Sequence, residues 1–248
     1  MSAGPSRVAS LPVHPARSNR AYRNVARLLR PLLYAIQRRD WRGQEHLPTD
    51  SGFIAAGNHL TNLDPVTFAH YLYDSGVAPK IMAKSSLFSV PVLGWVLRTT
   101  GQIPVYRGTS DAGRSLEAAE VALAEGECVA VFPEGTLTRD PDLWPMLAKT
   151  GVARLALDTR VPVVPIAQWG AQDLLARYGK VFKPIPPKRV TVVAGPPVDL
   201  SDLYDKPRDA ATLREATARV MAAITAQLAE IRGEQPPAEV FDMRKKSA

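Results

Sequence analysis

Gly52-Phe53-Ile54-Ala55-Ala56-Gly57-Asn58-His59-Leu60-Thr61-Asn62-Leu63-Asp64-Pro65 sets the frame for the whole chain. Its first six residues are a short apolar run bounded by glycines, the pattern of a buried strand. Its last two place an aspartate before a proline, which predicts a helix start with Asp64 as N-cap and Pro65 at the first helical position. The stretch therefore reads strand, turn, helix. On one continuous helix His59 and Asp64 would stand about 140° apart round the axis and would not face each other. A turn that folds back onto a helix N-terminus lets Asp64 reach one ring nitrogen of His59, fix the tautomer and support the imidazolium formed when the other nitrogen takes a proton. A capped helix beside an incidental histidine has the same local pattern, so the rest of the chain must choose between the two.

Outward from this stretch the chain alternates. Apolar runs predict strands at 52–57, 80–83, 102–106, 127–132, 163–167 and 190–194, with helices at 65–72, 110–125 and 150–158 between them. Leu213, Ala216, Val220, Ile224, Leu228 and Ile231 form an apolar stripe that predicts a terminal helix over 210–231, packed on the sheet. The fold class is α/β, a single domain with a largely parallel central sheet flanked by helices, and ligands in such sheets bind beyond the carboxyl ends of the strands. At the start of the chain, Val25, Leu28, Leu29, Leu32 and Ile36 recur at helical spacing beside an offset stripe of Arg20, Arg23, Arg27 and Arg30. This predicts a basic amphipathic helix over 20–40, kinked or divided by Pro31. It is either a helix docked on the core with its arginines in water, or one lying on anionic lipid with its leucines below the headgroups. The expected organisation is a disordered segment over 1–19, this helix, the main domain over 41–232, and a polar, disordered tail over 233–248.

Composition narrows the partners. A 248-residue chain that is 46% hydrophobic and 22% charged can bury one sizeable core. Its net charge of +7 favours a polyanion: nucleic acid, an anionic membrane surface or a phosphorylated substrate. With no zinc-ligand spacing, aromatic RNA-binding signature or basic-zipper pattern, nucleic acid is not expected as a partner. The single cysteine, Cys128, sits in the apolar run Cys128-Val129-Ala130-Val131-Phe132 and reads as a small core residue, so neither an intramolecular disulfide nor a cysteine-based metal site is expected. The prolines at 5, 12 and 15 interrupt the first residues, which lack the apolar stretch of a signal peptide. No apolar run approaches the roughly 18 residues of a membrane span. The expected location is the cytoplasm, at the face of a membrane.

Polar clusters follow the predicted strands in order: His59 and Asp64, then Lys84, then Arg107, then Glu134, Gly135 and Thr136, with Lys149 opening a later helix. A base, several cations and a glycine turn around one cleft suit a reaction on a hydroxyl compound bearing a phosphate, with the cations holding the dianion. The charge-free segment 85–97 is long and apolar for a connection between strands. It reads as a core helix, or as a lining for an acyl chain or a membrane-dipping surface.

Asn58-His59 with Asp64, Gly101-Gln102-Ile103-Pro104-Val105-Tyr106-Arg107, Phe132-Pro133-Glu134-Gly135-Thr136 and Val161-Pro162-Val163-Val164-Pro165 together resemble the four ordered motifs of the glycerolipid acyltransferases, most nearly the lysophosphatidate (1-acylglycerol-3-phosphate) type. The resemblance spans roughly 58–165. It implies acyl transfer from acyl-CoA or acyl carrier protein to the free hydroxyl of lysophosphatidate in phospholipid synthesis, without a bound cofactor or metal. It also implies His59 as general base, Asp64 as its orienting partner, and Arg107, Glu134, Gly135 and Thr136 as the acceptor-binding set, with Lys84 as a further phosphate contact. One departure stands out. Members of the family often carry arginine directly after the threonine, where this chain has Leu137, and Arg139 follows two residues later. Either Arg139 reaches back, or the acceptor is another lysophospholipid, a glycolipid or an amino-acid lipid. A non-catalytic membrane lipid-binding protein of the same fold is the remaining alternative.

Overall fold

The structure, a computed structural model, describes residues 18–106 and 112–243. In chain order the elements are α1 Arg20–Ile36, β1 Gln37–Arg42, β2 Phe53–Gly57, α2 Asp64–Asp74, β3 Lys80–Lys84, α3 Leu93–Thr99, β4 Ile103–Val105, α4 Ala112–Ala124, β5 Cys128–Val131, α5 Gly151–Thr159, β6 Val163–Trp169, α6 Ala171–Leu174, β7 Lys188–Ala194 and α7 Ala210–Arg232. One seven-stranded sheet runs β1-β7-β6-β2-β5-β3-β4. Only β6 and β7 are antiparallel; the other neighbours are parallel. This is the α/β domain with a largely parallel, helix-flanked sheet that the alternation predicts.

The central strands are apolar because both of their faces are covered. In β2, Phe53 and Ala55 join a core with Leu33 and Ile36 of α1 and Phe68, Tyr71 and Leu72 of α2. Ile54 and Ala56 point the other way, into a core with residues of α4, α5 and α7. Cys128 lies on the first face, 3% exposed, and burial pushes its thiol pKa up. The carboxyl ends of β2, β3, β4, β5 and β6 share one edge of the sheet, where β7 and β1 begin. That edge carries His59, Asp64, Lys84, Glu134, Gly135 and Thr136, whereas the motif at 161–165 lies where β6 begins, at the opposite edge.

Several expectations need correction. The first helix ends at Ile36, not 40, and Gln37–Arg42 is an edge strand registered from Gln37 on Lys188 to Arg42 on Val193. Its polar sequence hides the strand because an edge strand leaves its side chains in water, where charge is an ordinary guard against further pairing. Pro31 does not divide the helix. Contacts on both sides hold it: Asn19 Nδ2 donates to Thr99 O at 3.0 Å, Tyr22 stacks on Tyr73, and Leu33 and Ile36 enter the core. The leucine stripe also faces away from the core, with Leu28 78%, Leu32 55% and Leu29 37% exposed. Arg30, by contrast, is drawn inward to Asp74 at 2.8 Å.

The segment 85–97 is not a core helix. It forms a 3-10 turn, Ser85–Ser89, followed by α3, and it exposes Leu87, Val90, Val92, Leu93 and Trp95. The tail does not leave the domain at 233, because the carbonyl of Phe241 accepts the N–H of Leu147 at 2.9 Å. Of the segments expected to be disordered, 1–19 and 233–248, residues 1–17 and 244–248 lie outside the described residues, while Asn19 is held as the cap of α1.

Candidate active site

Gly57 ends β2 close against α2: a β-carbon there would lie 2.5 Å from Phe68 Cε2, so any larger residue would have to displace that ring. Beyond it, the turn 58–63 is fastened at three levels. Asn58, fully buried, donates from Nδ2 to Gln168 O at 3.0 Å and accepts the Gln168 N–H at 2.8 Å. Gln168 Nε2 donates back to Asn58 O, and Thr67 Oγ1 donates to Gln168 Oε1. A closed, buried polar network thereby locks the end of β2 to β6 and α2.

Asp64 supplies the second level. Its Oδ2 accepts the backbone N–H of Leu60 and that of Thr61, the latter at 2.8 Å, and lies 3.0 Å from His59 Nδ1. Asp64 is the first residue of α2 rather than its N-cap, which is Leu63. The physical reason is direction: the carboxylate turns back to the donors of the preceding turn, not forward to the helix. Its Oδ1 is buried with no hydrogen-bond partner among the described residues. Such an oxygen carries an uncompensated desolvation cost.

The third level comes from Glu134, which is 1% exposed. Its Oε1 accepts the His59 N–H at 3.0 Å and its Oε2 accepts the Met146 N–H at 3.1 Å. The carbonyl of His59 in turn accepts the N–H of Thr138 at 2.7 Å. His59 is thus held on both sides of its own peptide, with its ring stacked on Phe132 at 4.5 Å and its side chain 16% exposed. Nε2 makes no protein hydrogen bond among the described residues, so the ring offers one nitrogen to a reactant while Nδ1 faces the carboxylate.

Burial pushes the Glu134 carboxyl up to about 8, above its ordinary 4.5. A folded-state value above the unfolded one means that this group contributes stability below 4.5 which is lost as pH rises through about 8. Melting temperature should fall across that window more steeply in the native chain than in Glu134→Gln. The amide also sets an NH2 against one of the two backbone donors, which should cost roughly 1–3 kcal/mol in denaturant melts.

Those of the remaining predicted site residues that are described fall at the same edge of the sheet. Lys84 is exposed at the carboxyl end of β3. Gly135, at φ 72°, and Thr136 are half-buried in the turn after β5. Leu137 is 5% exposed, whereas Arg139 is exposed. Arg107 lies outside the described residues. Lys149 comes back over the turn: its N–H donates to Pro133 O at 3.0 Å, and its Cδ and Cε lie 3.3 Å from where a β-carbon on Gly135 would be. A larger residue at 135 would therefore have to displace this cation as well as adopt a left-handed backbone.

Arg177 is a participant that sequence reasoning missed. Its Nη1 donates to the carbonyls of Thr138 and Asp140, the first at 3.0 Å, and so clamps the loop on both sides of Arg139. No motif marks it, since it follows the single-turn α6 and acts at long range. Among the described residues no group of His, Cys, Asp and Glu could hold a metal ion, and no helix is long and apolar enough to cross a membrane.

The structure is thus an α/β protein with a largely parallel sheet that carries a histidine–aspartate pair at its carboxyl edge, backed by a buried glutamate. Residues 38–169 match the profile of the Acyltransferase family. The chain belongs to that family. It is 32% identical over 145 residues to a chloroplastic 1-acyl-sn-glycerol-3-phosphate acyltransferase (BAT2) of Brassica napus, covering 58% of this chain and 40% of that one. It is likewise 32% identical over 139 residues to a 1-acyl-sn-glycerol-3-phosphate acyltransferase of Borreliella burgdorferi, covering 54% and 52%. The chain thus spans about half the length of these curated relatives. In the solved structures, the 1-acyl-sn-glycerophosphate acyltransferase PlsC of Thermotoga maritima matches with a TM-score of 0.65 at 24% identity, over 87% of this chain and 81% of that one, which is a likeness of fold.

Proposed function

We propose that the chain transfers an acyl group from a thioester, acyl-CoA or acyl carrier protein, to the free hydroxyl of lysophosphatidate. The observation that carries the reading is the 3.0 Å contact between His59 Nδ1 and the buried Asp64, with Nε2 left open. Nε2 takes the proton of the acceptor hydroxyl as its oxygen attacks the thioester carbonyl. The tetrahedral intermediate collapses, the C–S bond breaks, and the departing thiolate recovers the proton from His59. Asp64 stabilises the transient imidazolium and fixes the tautomer. Glu134 is a positioning residue in this reading, because both of its oxygens serve the backbone. The acceptor phosphate is met by Lys84, Arg139, Lys149 and Arg107, with Gly135 and Thr136 shaping the turn beneath.

The names of the relatives support lysophosphatidate as the acceptor. Leu137 supports a second reading with a different acceptor headgroup, because its burial leaves Arg139 as the exposed cation of that loop. The test is an acceptor panel with acyl-CoA, scored by thiol release and acylated product. Transfer to lysophosphatidate but not to lysophosphatidylcholine or a glycolipid supports the first reading; an inactive lysophosphatidate sinks it.

Placement at the face of an anionic membrane is part of the same proposal. Leu28 and Leu32 are exposed on α1, and Val92 and Trp95 at the start of α3. Leu28→Glu with Leu32→Glu is expected to reduce sedimentation with anionic vesicles by about tenfold, a loss on the scale of one or two apolar side chains. Unchanged sedimentation would remove α1 from the membrane face.

A further inference from the structure

The loop between α6 and β7 exposes an unusual amount of apolar surface. Ile185 is 85%, Val181 67%, Tyr178 58% and Phe182 46% exposed. Between Asp173 and Asp199 there is no carboxylate, while Arg177, Lys180, Lys183 and Lys188 alternate with those apolar side chains. The loop is nevertheless built. Leu175 and Phe182 form an antiparallel bridge, Lys183 N donates to Leu174 O at 2.7 Å, and Gly179 N donates to Ala176 O at 2.7 Å. Tyr178 is held at a φ of 58°. Ordering exposed apolar groups on a closed turn costs conformational entropy that water does not return, so their placement calls for an apolar phase.

The base of the loop is tied to the site. Leu175 O accepts the Thr61 hydroxyl at 2.6 Å, and the Thr61 N–H is itself a donor to Asp64. We infer that residues 175–187 are a membrane-inserting loop, its aliphatic tips entering the acyl boundary of an anionic bilayer and its lysines meeting the headgroups, on the opposite side of the His59 turn from α3. This deepens the proposed function and rests on its bilayer-borne acceptor: the loop sets the depth at which the base meets the lipid hydroxyl. Single apolar side chains projecting between cations suit the interface, where lysine stems extend to the headgroups and aromatic rings settle. A protein partner would ask for a broad flat patch instead, on the order of 800 Å² per side.

The test uses the full chain with Ile185→Cys, labelled with an environment-sensitive fluorophore; the native Cys128 is buried and does not compete. Anionic phosphatidylglycerol vesicles are expected to shift the emission to the blue at low salt, and neutral phosphatidylcholine vesicles are not. No shift with anionic vesicles overturns the inference. So does a shift given by acyl carrier protein but by neither vesicle. In a second arm, Val181→Ser with Ile185→Ser should weaken vesicle affinity by about tenfold, while transfer to a short-chain acceptor dispersed as monomers stays within about twofold of the native rate. An equal loss on monomeric acceptor would make the loop part of the reaction site and overturn the membrane role. The fluorescence arm needs no turnover, so a chain that inserts yet acylates nothing would defeat the acyl-transfer reading and leave the loop assignment standing.

Discussion

His59→Ala is expected to lower kcat by roughly 10² to 10⁴, the usual worth of a positioned general base, with little change in the KM for either substrate. The ring touches the rest of the protein through Phe132 and Asp64 and is partly exposed, while the peptide that fixes the turn belongs to the backbone and survives the substitution. The melting temperature should therefore move by only a few degrees at most, since a loss of about 1 kcal/mol is worth roughly 2–4 °C in a chain of this size. Thiol release from acyl-CoA in the presence of acceptor is the measurement. Near-full turnover in the variant would end the general-base mechanism.

Asp64→Asn tests the second half of the pair. Asparagine keeps the shape and one acceptor oxygen, so the N–H groups of Leu60 and Thr61 still find a partner, but no negative charge faces the imidazolium. Turnover should drop by roughly 10² to 10⁴ with modest loss of stability. Asp64→Ala removes the acceptor altogether and strands two buried N–H donors, which should cost about 2–5 kcal/mol in denaturant melts in addition to activity. If the asparagine variant keeps turnover within a few fold while the alanine variant unfolds, Asp64 is a structural fastener and His59 works without it.

Much of this architecture was legible because its physical signal is local. The central strands β2, β5 and β6 are buried on both faces and so read as apolar runs, and all six predicted strands appear with their ends displaced by only a few residues. Gln37–Arg42 was hidden because an edge strand answers to its partner, here β7, and not to its own propensity. The candidate site divides in the same way. His59 and Asp64 are close in sequence and their turn has a recognisable pattern. Glu134 was visible as a motif residue, but its engagement by two backbone amides was not, because hydrogen bonds to Met146 and His59 arise only once the loop 132–150 folds back on itself and meets the turn 58–63. Arg177 left no trace at all: a guanidinium that grips two carbonyls of a distant loop has no sequence spacing to betray it.

The second oxygen of Glu134 ties the His59 turn to a distant part of the chain. It holds Met146, and the loop around Met146 is gripped from the far end of the chain. Arg232, the last residue of α7, lies between the rings of Trp144 and Trp169 at 4.0 and 4.5 Å and donates to Asp142 O, while Phe241 accepts from Leu147. The turn that holds His59 is thus linked, through Glu134 and the loop around Met146, to contacts made by Arg232 and Phe241. Loss of the segment after α7 is therefore expected to loosen the turn 58–63 from a distance, without removing any residue of the sheet.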